Sequence, residues 1–316
     1  MRNKRALFVI PYVGWMTLFV VAPIIIVVIY ALTTAGGEFT LDNFARMGTY
    51  TSVFVRSFEL AIIATLICLL IGYPLAYVMA KEGPRFQRIA MVLIMLPMWM
   101  NFLLRTYAWM SLLENNGLLN QAFSALGIID LGNAINGALN SFCAWLNNGL
   151  LEWINGLFGS DFLLNTARPT DQTFFRMLFT QGAVVLGMVY NYLPFMVLPI
   201  YSVLVKMDNS LVEAARDLGA NTTYVFRKVI FPLSLPGILS GVTMVFVPAV
   251  STFAISKMLG GGTQLMLGDL IEMLFMGSAY NPNLGAAVSI VMMLIVVVCM
   301  WVMNRFGEGE EQAVML

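Results

Sequence analysis

Long uncharged apolar runs alternate with short charged punctuations along this chain, and the runs have the length of a bilayer. A helix needs about 20 apolar residues to cross the hydrocarbon core. Six stretches qualify: 7–32, 60–80, 89–113, 182–205, 236–256 and 284–303. The first has no charge in 26 residues and follows Arg2, Lys4 and Arg5. It is far longer than the roughly 7–15 apolar residues of a signal peptide, so it is expected to remain as an uncleaved span. The third is interrupted once, by Arg105. The fifth is expected to begin near Pro236, because Pro232 should end the helical pattern before it.

The largest polar interval, 114–176, has its own periodicity. Ile135, Leu139, Phe142, Trp145 or Leu146, Leu150, Trp153 or Ile154 and Leu157 recur at helical spacing. Asn136, Asn140, Asn147, Asn148, Glu152 and Asn155 fill the other face. This predicts an amphipathic helix. It is too polar for a span, so a helical segment at 131–172 is expected to lie in the outer interface.

A second charged interval, EAARDLGANTTYVFRKVIFPLSLPG at 213–237, separates spans four and five. Ser210 and Glu213 fit a capping box, each side chain serving the other's backbone N–H. A short helix should run through Leu218 and stop at Gly219, which tolerates positive φ. Asn221 or Thr222 can cap a second helix running to about Ile230. The pattern predicts a hook: helix, glycine turn, helix.

Composition agrees with a lipid environment. The chain is 59% hydrophobic and 11% charged, against about a quarter charged for a soluble domain. Seventeen basic and seventeen acidic residues cancel, so bulk charge points to no anionic partner. Histidine is absent, which removes the usual metal ligand and the usual base near neutral pH. Cys68, Cys143 and Cys299 form no metal or disulfide spacing. Gly260–Gly262 lacks the Lys-Ser/Thr of a phosphate-binding loop. An enzyme and a metal site are therefore not expected. A DNA-reading helix pair is excluded by charge, since Arg216, Arg227 and Lys228 stand against Asp208, Glu213 and Asp217 and phosphate contact wants a basic surface. No nucleic-acid partner is expected.

Basic residues also set orientation. With the N-terminus inside, the inner segments hold eleven of the 17 Lys and Arg. The expected fold is an all-α polytopic membrane protein of six transmembrane helices with cytoplasmic N- and C-termini. The loop at 208–232 and the tail at 307–316 then lie inside, and the 131–172 segment outside.

The pattern E-A-A-x-x-x-G followed by Val229-Ile230-Phe231-Pro232 resembles the EAA loop of importer-type ABC permeases, with two conservative departures from the family ending I-x-L-P. LIGYPLAYVMA at 70–80, LPMWMNFLLRTYAWMSLL at 96–113 and VYNYLPFMVLPIYSVL at 189–204 look like spans two to four of spermidine/putrescine permeases, of the B type more than the C type. The resemblance covers about 1–125 and 177–306; 131–172 looks like an insertion and inherits no function. The resemblance implies a type I ABC importer transmembrane domain over 1–306, importing polyamines by alternating access in a bacterial inner membrane. Glu213, Ala214, Ala215, Asp217, Leu218 and Gly219 match the coupling helix that docks on the ATPase. The implied partners are a second permease chain, two copies of an ATPase that binds ATP and Mg, and an extracytoplasmic polyamine-binding protein. No cofactor is expected in this chain. Importers of opines, phosphonates, thiamine or ferric ion share the architecture and stand as alternatives. An ion-coupled secondary transporter is a further one, which would lack the ATPase.

A polyamine needs carboxylates along its length and aromatic faces for its ammonium groups. Candidates on the substrate pathway are Trp99, Asn101, Arg105, Tyr107, Tyr190, Asp269 and Glu272. Asp269 and Glu272 are three apart and should share a helix face. An interfacial belt competes for the aromatics, and a solvated outer loop for the acids. Arg105 would repel a cation, so a structural or gating role fits it better, with Asn101 one turn away.

Overall fold

A computed structural model of the chain describes residues 11–152, 155, 163–277 and 279–314. Trp153, Ile154 and Leu157, assigned above to the amphipathic helix, lie outside them, as do Arg2, Lys4 and Arg5. Helices make up almost all of the described structure. The main ones are α1 (Pro11–Ala31), α2 (Thr51–Lys81), α3 (Pro84–Trp99), α4 (Phe102–Leu113), α5 (Leu118–Ala125), α6 (Ile128–Leu146), α7 (Gln181–Lys206), α8 (Asn209–Asp217), α9 (Thr222–Ser251), α10 (Ala254–Leu259), α11 (Leu267–Met276) and α12 (Pro282–Val314), with short helical turns at Asp42–Arg46 and Met47–Tyr50 ahead of α2 and at Asn147–Leu151 after α6.

Five of the described helices are long and apolar enough to cross a membrane, and six if the bent pair α3 and 102–125 counts as one span. The core is a packed trio of α2, α7 and α9. One cluster joins Leu60, Ala61 and Ala64 of α2 to Val184 and Met188 of α7 and Ala249 and Val250 of α9. A second, nearer α8, joins Ala76 and Met79 to Met196, Ile200, Ile230 and Val245. Close approach rests on small residues, as helix pairing in lipid generally does. Met196 sits between Gly72 and Gly241: a Cβ at either glycine would lie 3.0 or 2.9 Å from its side chain.

The outermost span, α1, buries none of its apolar window within the chain and packs on α12. Its last carbonyls, which a helix end leaves without partners, are taken up by asparagines. Asn283 Nδ2 donates to the oxygens of Tyr30 (3.0 Å) and Thr33 (2.8 Å). Asn43 Nδ2 donates to those of Ala31 and Thr33, both at 3.0 Å.

Two expectations about the spans need correction. The third is not one helix over 89–113. It breaks at Met100–Asn101 and turns by 92°. Pro97 removes a backbone donor near the end of α3, and the Asn101 side chain starts a new helix by accepting from the N–H of Leu103 (2.9 Å) and Leu104 (3.4 Å). Nor does Pro232 end the helix that Asn221 caps. α9 runs unbroken from Thr222 to Ser251, because a π turn at Phe226–Ile230 shifts the hydrogen-bond register just before the proline. The same device recurs in α1, where a π turn at Thr17–Val21 precedes Pro23 by the same two residues.

The 131–172 segment is helical in α6 and then returns as an extended strip. Of the asparagines placed on the polar face, Asn136, Asn140 and Asn147 stitch the strip to the helix, with Asn133 beside them, while Asn148 is exposed. Asn147 exchanges two bonds with the backbone of Leu164, both 2.9 Å. Asn140 does so with Arg168 (2.8 and 3.1 Å) and Asn133 with Gln172 (2.9 and 3.1 Å). Asn136 Nδ2 adds a bond to Pro169 O, 2.8 Å. Seven helical residues rise about 10.5 Å and four extended residues reach about 13 Å, so the two arms stay in step. Asn120 of α5 closes the series on Phe175 (3.0 and 2.9 Å).

Candidate coupling hook and translocation face

The hook is built by caps at both ends. α8 starts at Asp208, whose Oδ1 accepts the Ser210 N–H at 2.9 Å. The predicted Ser210–Glu213 box is therefore not the cap; an aspartate two residues earlier does that work. The Ser210 N–H bound to it holds the Asp208 carboxyl below the ordinary range. At the other end, the N–H of Gly219 donates to Arg216 O (2.8 Å) and that of Ala220 to Ala215 O (3.1 Å). This paired closure is the Schellman arrangement, which needs a left-handed residue; Gly219 supplies it at φ +81°. Asn221 Oδ1 then accepts from Tyr224 N–H at 2.8 Å and opens α9 as predicted.

The six predicted coupling residues sit on this one unit. Glu213, Ala214, Asp217, Leu218 and Gly219 are exposed and Ala215 is half-buried against the core. Leu218 is 89% exposed, an unusual position for a leucine with core available beside it. Glu213 and Arg216 line a cavity of about 330 Å³ with Tyr77, Lys81, Met207 and Ile230.

The pathway candidates separate into two groups. Arg105 is buried at 8% exposure. Its guanidinium donates to Pro97 O, at the end of α3, and to Asn191 Oδ1 on α7, while its Nε has no partner. Tyr190 joins it with the ring 5.6 Å from the guanidinium carbon, and Trp109 packs edge-on against Tyr190 at 5.3 Å. The arginine thus fastens the broken span to the core. A lone charge in lipid is costly, and pairing it with carbonyl oxygens is the usual remedy. Asn191 was missed as a partner, although a polar residue inside an apolar run was the available signal.

Asp269 and Glu272 do share α11, as their spacing predicts. Asp269 is buried, and its Oδ2 accepts the Met266 N–H at 2.9 Å, leaving Oδ1 without a partner. Burial pushes its carboxyl above the ordinary range. Glu272 is ion-paired with Lys257 at 2.9 Å. Trp99 (73% exposed) and Tyr107 (59%) project to the surface. Asn101 is occupied in capping α4. Among the described residues, no cluster of metal-ligating side chains occurs.

Known proteins place this architecture. Residues 72–309 match the family of binding-protein-dependent transport system inner membrane components. The chain is 34% identical to the spermidine/putrescine transport system permease protein PotB of Salmonella typhimurium over 295 residues, covering 91% of this chain and 88% of that one. It is likewise 34% identical to PotB of Haemophilus influenzae over 303 residues, covering 93% and 91%. A crystal structure of a bacterial ABC transporter involved in alginate import superposes with a TM-score of 0.67, covering 97% of this chain and 96% of that one. At 14% identity that likeness shows the fold alone. The family match takes in the end of α2, α7, the hook and α9, and the chain belongs to the family of inner-membrane components of binding-protein-dependent transport systems.

Proposed function

We propose that the chain is a permease subunit of an ATP-driven importer of polyamines, the spermidine and putrescine class. The observation that carries this reading is identity along nearly the whole chain to permeases named for those substrates. The chain would work with a second permease of C type, two copies of an ATPase that binds ATP and Mg, and an outer polyamine-binding protein. In this reading both termini, the loop at 208–232 and the tail at 307–316 are cytoplasmic.

The hook's geometry suits coupling. A docked element must move as a body, and α8 is capped at both ends within nine residues. It is short of slack on either side. α7 ends at Lys206, two residues before Asp208, and α9 runs without a break from Thr222 into the core trio. A displacement of α8 by an ATPase therefore reaches the membrane through two continuous helices. Leu218 would be the apolar anchor in the ATPase groove.

On the substrate side, the fixed charge of Arg105 repels a multiple cation, so it serves as a positioning element holding the broken span. Trp99 and Tyr107 offer ring faces to ammonium groups. Glu272 is engaged by Lys257 and would need release to meet substrate.

Reconstitution with the cognate ATPase and binding protein tests the reading. ATP-dependent uptake of labelled spermidine or putrescine is expected, lost in Glu213→Arg and Gly219→Asp. A complex purified without any ATPase would point to an ion-coupled transporter. Failure of the cognate binding protein to hold either polyamine would remove the substrate assignment and leave the permease assignment standing.

A further inference from the structure

The hairpin of α6 and its returning strip has two faces with different surroundings. One face carries Asn133, Asn136, Asn140 and Asn147, all bonded to the strip. The opposite face carries Leu131, Ile135, Leu139, Phe142 and Trp145, exposed by 59, 50, 41, 55 and 69%. Ala134 and Ala138 lie between them and are also exposed. We propose that this face is seated in the lipid of the bilayer interface, so that the hairpin lies on the membrane as a tab and does not stand in water or serve as a platform for a protein.

Four observations favour lipid. The first is what covers the other side of the helix. Leu164, Arg168 and Gln172 of the strip each have N–H and C=O paired to one asparagine, so the chain itself closes the asparagine side of α6 and leaves the apolar stripe as the open side. The second is charge. α6 carries one charged residue, Asp130, in its first turn, and no Lys or Arg. The ladder asparagines turn to the strip, and the exposed polar residues left on α6 and its extension beside the stripe, Ser141 and Asn148, are uncharged, so the charged rim that usually surrounds a protein-docking patch is confined there to Asp130. The third is continuity with the membrane-embedded part of the chain. From the break at Met100–Asn101, residues 102–125 run at 92° to α3. Exposed Leu103, Leu104, Leu118 and Leu126 lead from that bend to the stripe. The fourth is the stacked Phe142–Trp145 pair, centroids 6.1 Å apart, of the type that anchors at a membrane–water boundary.

The test is accessibility of single nitroxides on the full chain with its ATPase and second permease, in vesicles of phosphatidylethanolamine and phosphatidylglycerol. Labels at Ile135→Cys and Phe142→Cys occupy exposed positions and leave the ladder intact. Both are expected to relax more with oxygen, which concentrates in lipid, than with a water-soluble nickel chelate. Thr166→Cys, on the strip and exposed, is expected to show the reverse order. Nickel dominating at 135 and 142 as it does at 166 would place the stripe in water and overturn the proposal. Shielding from both reagents, whether constant or appearing only when the outer binding protein is added, would assign the stripe to a protein and overturn it equally. Neither result would touch the polyamine assignment, which rests on uptake.

Discussion

Gly219 isolates backbone conformation from side-chain contact. Its φ is +81°, and a Cβ built there meets nothing within 4 Å. Replacing it with alanine therefore creates no clash within the chain. The cost is conformational: an L-residue other than Gly or Asn held in the left-handed region loses about 1–2 kcal/mol. Asparagine visits that region more readily, so Gly219→Asn should cost a fraction of that. The hook is exposed outside the packed trio, so in the variant's free chain the turn opens and relieves the strain, whereas docking must close it again; the penalty then appears in the docking equilibrium, where 1–2 kcal/mol is roughly a 5–30-fold change. The measurement is the affinity of the purified permease pair for its ATPase, alongside the thermal midpoint of the chain. Gly219→Ala is expected to weaken association roughly 5–30-fold, on the same free-energy scale, Gly219→Asn only a few-fold, and the midpoint should hardly move. Equal losses for Ala and Asn would refute the reasoning, because they would mean that any side chain at 219 obstructs the ATPase. No loss for Ala would show that the left-handed turn is dispensable.

Three further outcomes follow from the same kind of accounting. Arg105→Met leaves Pro97 O and Asn191 Oδ1 unpaired, about 1–3 kcal/mol each, but removes a charge that costs about 2.5–3.5 kcal/mol in lipid; Arg105→Lys keeps the charge and loses the fork. Thermal midpoints in detergent should therefore fall further for Lys than for Met, and the opposite order would contradict the pairing described. Leu218→Asp changes a side chain that is 89% exposed, so the chain's own midpoint should hold while ATPase association falls about tenfold or more, as for a truncated interface anchor. Asp269 has a raised carboxyl pKa through burial, so the folded state holds its proton longer than the unfolded one. Its contribution to stability therefore drops as pH rises from the ordinary carboxylate range through the raised value. Asp269→Asn keeps an oxygen for Met266 N–H and should flatten that decline, with a higher midpoint than the parent at pH 8 in paired melts; an unchanged slope would show that the carboxyl is not desolvated.

Much of the fold could be read from runs of uncharged residues, because lipid forbids most alternatives. The hook was legible for the same local reason: Gly219 and Asn221 have few other uses at that spacing. What escaped was anything requiring a partner distant in sequence. Pro97 and Asn101 stood in plain view, yet only the meeting of Arg105 with Asn191 shows why the chain breaks there. The asparagine face of α6 has the composition of a wet surface, and no periodicity announces a strip 17 to 39 residues further on. The two π turns also left no mark on apolar periodicity, since each keeps the helix running past its proline. Of the pathway candidates, Asp269 and Glu272 were grouped correctly by spacing, whereas Tyr190 and Arg105 were brought together only by packing between helices.

The ladder pairs Asn147, Asn140 and Asn133 with 164, 168 and 172, seven residues on one arm for every four on the other. That ratio restricts how the segment can change length. One residue inserted or lost between rungs rotates every later asparagine about 100° from its mate, whereas residues added beyond Asn147 and before Leu164 disturb no rung. Related chains carrying this hairpin should therefore vary in length at its tip, or gain and lose whole blocks of seven against four, and those blocks would set how far the tab reaches from the body of the permease.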